Sequence, residues 1–195
     1  QLAFCQHQGW DVSDYNLASH PAQQAMLAMI TELAGEPIDI VGVDGCTLPA
    51  PRLSLIGFAR ALAKITAPDL LKGTMSKAAE QIMASTMQFP FLTGGSKSPN
   101  SIMTAASSKK FFAKNGAEGV YAVILPEVRS AMVLKIADGS MRAADVAIAG
   151  MLAQMAEHLN LDKDMLNKFS VEDMYNSANT KVGVCRYTNI IPIQN

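Results

Sequence analysis

This sequence is poor in the residues that mark special environments. Its 195 residues include three cysteines, Cys5, Cys46 and Cys185, too few and too scattered for a disulfide framework. That excludes the small stapled scaffolds, and with twelve methionines it favours a reduced, cytoplasmic setting. Charge is also sparse and nearly balanced, at 17% charged residues and a formal net charge of -1. The only basic pair is Lys109-Lys110, so nothing provides the electrostatic footprint of a nucleic-acid binder. No apolar run reaches the roughly 18 residues of a membrane span, and the chain does not open on a charged, then apolar leader. GxSxG, HExxH, CxxC and a phosphate-cradling loop are all missing. His7 and His158 have no ligand-like spacing to each other or to the cysteines, and His20 before Pro21 reads as a contact at a helix start.

What is present is apolar bulk. At 49% hydrophobic the chain can bury a sizeable core, most simply as one domain over 1–195, with two small lobes as the alternative. Gln1-Leu2-Ala3-Phe4-Cys5 reads as the inside of a helix, as if the sequence began partway through a longer protein, and Gly9 ends that helix. Ser19-His20-Pro21 opens a helix with Met26, Ile30 and Leu33 on one face, ended by Gly35 and Pro37. Ile38 to Val43 reads as a buried strand delivering Asp44-Gly45-Cys46 to a turn. Helices are expected over Leu53 to Ile65, Ser76 to Met87, Ser101 to Ala106 and, as the longest, Ala143 to Leu159 packed flat on a sheet. Between them, Thr93 to Ser101 reads as an exposed loop. Val120 to Leu125 and Ala131 to Ile136 read as a hairpin of two central strands joined through Pro126 to Ser130. Lys181 to Ile191 is a last strand. No internal repeat appears, and this order suggests a sheet with helices clustered on it.

Three positions carry a chemical and a plain structural reading together. Lys114, before Asn115-Gly116-Ala117-Glu118-Gly119, is either a catalytic group at the mouth of a strand or a solvated strand-end lysine. The glycines beside it, Gly116 and Gly119, would let a substrate lie against the backbone. Asp44 either serves the amides of its own turn or belongs to a site. Cys46 is either a small, partly buried turn residue or a metal ligand or nucleophile.

In combination, several stretches resemble a known family. They are Gly9-Trp10-Asp11-Val12-Ser13-Asp14-Tyr15, His20-Pro21-Ala22-Gln23, Val41-Gly42-Val43-Asp44-Gly45-Cys46, Gly94-Gly95, Lys114-Asn115-Gly116-Ala117-Glu118-Gly119-Val120-Tyr121 and Leu134-Lys135-Ile136-Ala137-Asp138-Gly139-Ser140-Met141-Arg142-Ala143. From about Leu2 to Ala143 the chain looks like the C-terminal part of the asparaginase II type of L-asparaginase, the Rhizobium-like class. The resemblance implies an α/β fold of the α+β type, like serine β-lactamases, penicillin-binding proteins and glutaminases: a central antiparallel sheet with packed helices, incomplete in this chain. It implies an amidohydrolase converting L-asparagine to L-aspartate and ammonia through Ser-Lys chemistry, with a small-molecule amide as partner and room for a homodimer. Lys114 matches the family's partner lysine, Cys46 a zinc-binding cysteine and Asp44 the motif aspartate near metal and substrate, while Gly116 and Glu118 fall in the substrate-binding block.

The same resemblance shows departures. The family's Ser-x-x-Lys helix start, its second serine and a Cys-Ser-Gly-Lys-His motif holding the other zinc ligands would lie before Gln1; the literal Ser-x-x-Lys at Ser107 to Lys110 comes too late to match. Asn115 and Thr47 stand where other small residues are usual, and Gly94-Gly95-Ser96-Lys97-Ser98 replaces glycine-glycine-threonine-glycine-arginine. A non-catalytic relative that kept the fold, and a β-lactamase-like or transpeptidase-like acyl enzyme, stay open beside the amidohydrolase reading.

Overall fold

A computed structural model of the protein describes residues 1–188, and the chain divides into two compact units, Gln1–Leu62 and residues 63–195. In the first, α1 (Leu2–Gln8) stops at Gly9, and Trp10 packs edge-on against Phe4 with ring centroids 5.3 Å apart. Helix α2 (Pro21–Ala34) begins at His20, whose Nδ1 accepts the Ala22 amide at 3.1 Å, so the expected helix-start contact is present. Buried Gln23 donates to the Tyr15 carbonyl at 2.6 Å, tying the preceding turn to the helix. Strands β1 (Val41–Val43) and β2 (Pro49–Pro51) form a two-stranded antiparallel pair. The strand expected to be buried is exposed: all three residues of β1 are open, and Val43 shows 79% of its surface. Helix α3 (Leu55–Ile65) starts two residues later than expected, at the point where Ser54 Oγ accepts the Gly57 amide at 2.8 Å.

The second unit holds α4 (Thr74–Gln88), α5 (Phe91–Gly94), α6 (Pro99–Ala106), β3 (Phe112–Asn115), β4 (Val120–Leu125), β5 (Ser130–Lys135), α7 (Met141–Gln154), α8 (Lys163–Asn167), β6 (Val171–Tyr175) and β7 (Lys181–Arg186). The hairpin read from the sequence is β4–β5, in a register running from Val120 opposite Lys135 to Leu125 opposite Ser130. Here β4 is central and β5 an edge, since β3 pairs antiparallel with the other side of β4. Tyr121, Val123 and Leu125 point from β4 into a core with Leu134 of β5 and Ala144, Ile148, Ala149 and Leu152 of α7. That alternation is the period of a strand with one face packed, and the spacing on α7 is one helical stripe, so α7 lies on the sheet as expected.

Other expectations need correcting. Helix α7 ends at Gln154 instead of Leu159, and α4 at 15 residues is the longest helix. Part of the expected loop is helical: α5 occupies its start, and α6 begins at Pro99 with Ser98 as its cap, leaving Ser101 inside the helix and fully buried. The last strand pairs with β6, which the sequence reading missed, in a separate hairpin; the expected extension to Ile191 lies outside the described residues from 189 on. Tyr187 closes that hairpin onto α7, its hydroxyl donating to Gln154 at 2.8 Å. Among the described residues the strands therefore make three small antiparallel sheets, not a single central one.

Candidate functional site

Lys114 sits on β3 at the outer edge of the three-stranded sheet, with its side chain exposed. Its Nζ donates to the Asn115 carbonyl at 2.7 Å and to Asn115 Oδ1 at 3.1 Å, so both oxygens of the neighbouring residue hold the amine. Past Asn115 the chain makes a short turn. Gly116 donates to the Val120 carbonyl at 2.8 Å, and a side chain at Gly116 would meet Val120 at an ordinary 3.5 Å, so this glycine is not forced by space. Gly119 is forced. Its φ is +67°, and a Cβ there would stand 2.8 Å from Cβ of Ile136 and 3.1 Å from the Gly139 backbone. Glu118 adopts φ 58° just before it and lays its carboxylate over Gly139, with Oε2 2.6 Å from where a Gly139 side chain would begin. The block carrying the lysine is thus locked against the Asp138-Gly139 turn through Gly119 and Glu118.

The edge of β3 is closed by α6. The bond from Gly116 to Val120, carried along the alternation of an antiparallel ladder, turns the backbone of Lys114 inward toward β4 and that of Ala113 outward. The outward Ala113 amide donates to Thr104 Oγ1 at 3.0 Å, and the Ala113 carbonyl accepts Asn100 Nδ2 at 3.5 Å. Thr104 and Asn100 are one turn apart on α6 and almost wholly buried. Sequence reading missed both; a clue lay in the polar spacing of Asn100, Thr104 and Ser107 in a helix that precedes a strand. The literal Ser-x-x-Lys is not a dyad: Ser107 Oγ bonds the Thr104 carbonyl at 2.8 Å, and the Lys110 amine bonds the Asn160 carbonyl.

Asp44 and Cys46 belong to the first unit, whereas Lys114, Gly116 and Glu118 belong to the second. Asp44 closes the β1–β2 turn with its backbone, donating to the Leu48 carbonyl at 2.9 Å and accepting the Thr47 amide at 2.8 Å. Its carboxylate instead takes the Cys46 thiol, Sγ to Oδ2 3.3 Å, on an exposed turn. No cluster of three or more His, Cys, Asp or Glu suited to a metal occurs among the described residues.

One further titratable pair lies under the sheet. The Tyr121 hydroxyl, wholly buried on β4, stands beside Asp145 of α7, yet neither it nor Asp145 Oδ1 closes a full hydrogen bond. Burial pushes the Asp145 carboxyl upward; the nearby Tyr121 hydroxyl opposes that, and the charge of Glu172 on β6 adds to it. Burial and the Asp145 charge together push the Tyr121 phenol far up.

Comparison with known protein families decides the kinship. The family described as L-asparaginase II matches residues 1–187. The chain belongs to the L-asparaginase II family. No curated protein matches it. Membership brings amidohydrolase chemistry and a small-molecule amide substrate at the level of the family, and it extends the resemblance past Ala143 through both C-terminal strands. Within the L-asparaginase II chain no helix among the described residues is long and apolar enough to cross a membrane.

Proposed function

We propose that this chain supplies part of the active site of an L-asparaginase acting by Ser-Lys chemistry, with Lys114 as the partner lysine. The observation that supports it is placement. The lysine of the family block stands exposed on a sheet edge, beside a turn whose backbone is fixed by Gly119 and Glu118. Hydrolysing a side-chain amide requires a nucleophile to lose a proton and the departing nitrogen to gain one, and a neutral lysine amine can take the first and return the second. Both Asn115 oxygens accept from the Lys114 amine, and a neutral amine has two N–H groups to keep both bonds while its lone pair takes the proton. The Gly116 backbone and the Glu118 carboxylate would then face substrate, the carboxylate suiting an amino acid's ammonium group. At the finer level of fold, β3–β4–β5 with α7 packed on one face supports a serine β-lactamase-like sheet.

Zinc enters this reading more narrowly. A zinc ion here would take Cys46 as one ligand, with Asp44 beside it. Zinc sites take about four ligands, and this turn offers two, so the fit is partial and no step is derived through the metal.

The test is ammonia release from L-asparagine by the product of the complete coding sequence. Lys114→Met keeps most of the stem volume and removes the amine, and turnover is expected to fall by about 10²–10⁴-fold with folding intact. Lys135→Met is the control, because that exposed amine is held by the Ile136 carbonyl on the opposite edge of the sheet. Equal turnover in the Lys114→Met protein and its parent would sink the assignment. The 195-residue chain by itself is expected to release no ammonia above a heat-killed control, since the serines of the family motifs are not in it.

A further inference from the structure

We propose that Thr104, assisted by Asn100, is a positioning residue for Lys114: it clamps the outer backbone of β3 so that the lysine presents its amine from a fixed edge. This rests on the reading of Lys114 given above. An edge strand offers outward N–H and C=O groups that water or another strand would otherwise take, and it frays because those bonds are loose. Here both outward groups of Ala113, the residue next to Lys114, are taken by side chains of one helix, the Thr104 hydroxyl at 3.0 Å and the Asn100 amide at 3.5 Å. The shorter arm, to Thr104, carries the clamp. Both side chains are buried, so water does not compete for Ala113.

The clamp has its own support. Ser98 Oγ bonds Asn100 Oδ1, which leaves Nδ2 to face the Ala113 carbonyl. Gly94, at the end of α5, lets that segment close over the pair: a Cβ there would stand 2.8 Å from both Asn100 Nδ2 and Ser101 Oγ. The outward carbonyl of Asn115, farther along the same edge, is occupied by the Lys114 amine itself. The lysine is therefore the free end of an edge that α6 holds at both outward groups of Ala113. Displacing a catalytic group by about an ångström can cost on the order of 10²-fold in rate, so a slackened edge should be felt in turnover before it is felt in substrate binding.

Two measurements test this. In the 195-residue chain, hydrogen exchange at the Ala113 amide should be protected as a core amide is, and Thr104→Val, which keeps the shape and loses the acceptor, should speed it by about tenfold while Thr104→Ser leaves it near the parent. In the product of the complete coding sequence, Thr104→Val should lower kcat with little change in KM, and Thr104→Ser should restore it. Should Thr104→Val fail to fold, exchange at Ala113 in the parent still decides: an amide that exchanges as fast as those on an open edge overturns the clamp. So does a Thr104→Val protein with the parent's kcat when Lys114→Met is inactive. Turnover that survives Lys114→Met instead overturns the reading of Lys114, whatever Ala113 does, and the positioning role falls with it.

Discussion

The two units are built on different physics. The apolar side chains that Gln1–Leu62 buries are all small, Cys5, Ala22, Ala34 and Ala61, and the unit is tied together by polar closures at helix ends. His20 caps α2, Arg60 donates to the Ala34 carbonyl at 2.7 Å, and Glu36 takes both the amide and the hydroxyl of Ser54 at 2.6 and 2.7 Å, anchoring the start of α3. The second unit buries Phe111, Tyr121, Ile148, Leu152 and Leu166 outright, in a core shared by sheet and helices. A polar closure contributes about 0.5–1.5 kcal/mol, whereas a fully buried Leu or Phe contributes about 1.5–3 kcal/mol, so the second unit is the stiffer platform.

The largest expected effect sets the two candidate positions against each other. In the product of the complete coding sequence, Lys114→Met should abolish most turnover, while Cys46→Ser should reduce bound zinc and raise KM more than it lowers kcat, because a metal ligand does not itself transfer the proton. Steady-state kinetics with metal analysis on both variants checks the split. A Cys46→Ser protein with unchanged zinc content removes that residue from the metal, and one that loses kcat as steeply as Lys114→Met breaks the division between the units.

Next in size is the core itself. Leu152→Ala removes a side chain with no exposed surface from the contact between α7 and the sheet, and should destabilise the second unit by about 2–5 kcal/mol. Denaturant-dependent hydrogen exchange, read separately at β4 amides and at α2 amides, measures the loss unit by unit. Protection in α2 that falls as far as in β4 would show the two unfolding together, and the contrast would be one of composition without independent stability.

These differences also explain what the sequence made legible. Strand β4 is read to the residue because Val120 to Leu125 is a continuous apolar, β-favouring run, as a strand covered by a helix and flanked on both sides must be. Strand β5 is displaced by one residue, since its ends are set by the register with β4 and not by its own composition. Strand β6, Val-Glu-Asp-Met-Tyr, is mostly exposed and exists through its pairing with β7, so no periodicity announced it. At the site, Lys114 and its glycine-rich block could be found because they are contiguous. Thr104 and Ala113 are nine residues apart and meet through a hydroxyl on a strand edge, a contact that leaves no spacing signature. The Tyr121–Asp145 pair was missed for the same reason, although an aspartate inside the apolar stretch Ala143 to Ala149 was a visible irregularity.

That aspartate yields the smallest and most discriminating prediction, because the units should respond to pH with opposite sign. In the first unit, hydrogen bonds from the Ser54 hydroxyl and amide hold the Glu36 carboxyl below its ordinary 4.5. A depressed carboxylate contributes stability that is present above 4.5 and is lost as pH falls through the lowered value. In the second, burial holds the Asp145 carboxyl above its ordinary 3.8, so the folded unit binds a proton that the unfolded chain has already released. The contribution of protonated Asp145 is then complete below 3.8 and is lost as pH rises through the elevated value, with Tyr121 on β4 and Glu172 on β6 as the facing groups. Exchange protection followed upward from pH 3.8, with intrinsic rates corrected, should thus fall in β4, and the start of α3 should lose protection as pH falls below 4.5. Asp145→Asn removes the titrating group at nearly constant shape, and should flatten the β4 profile and raise its protection at neutral pH. Glu36→Gln should flatten the acid loss in α3 and leave β4 unchanged. Parallel β4 profiles in the Asp145→Asn protein and its parent would mean that the carboxyl under the sheet is solvated, and that the second unit is less tightly closed around Tyr121 than its burial implies.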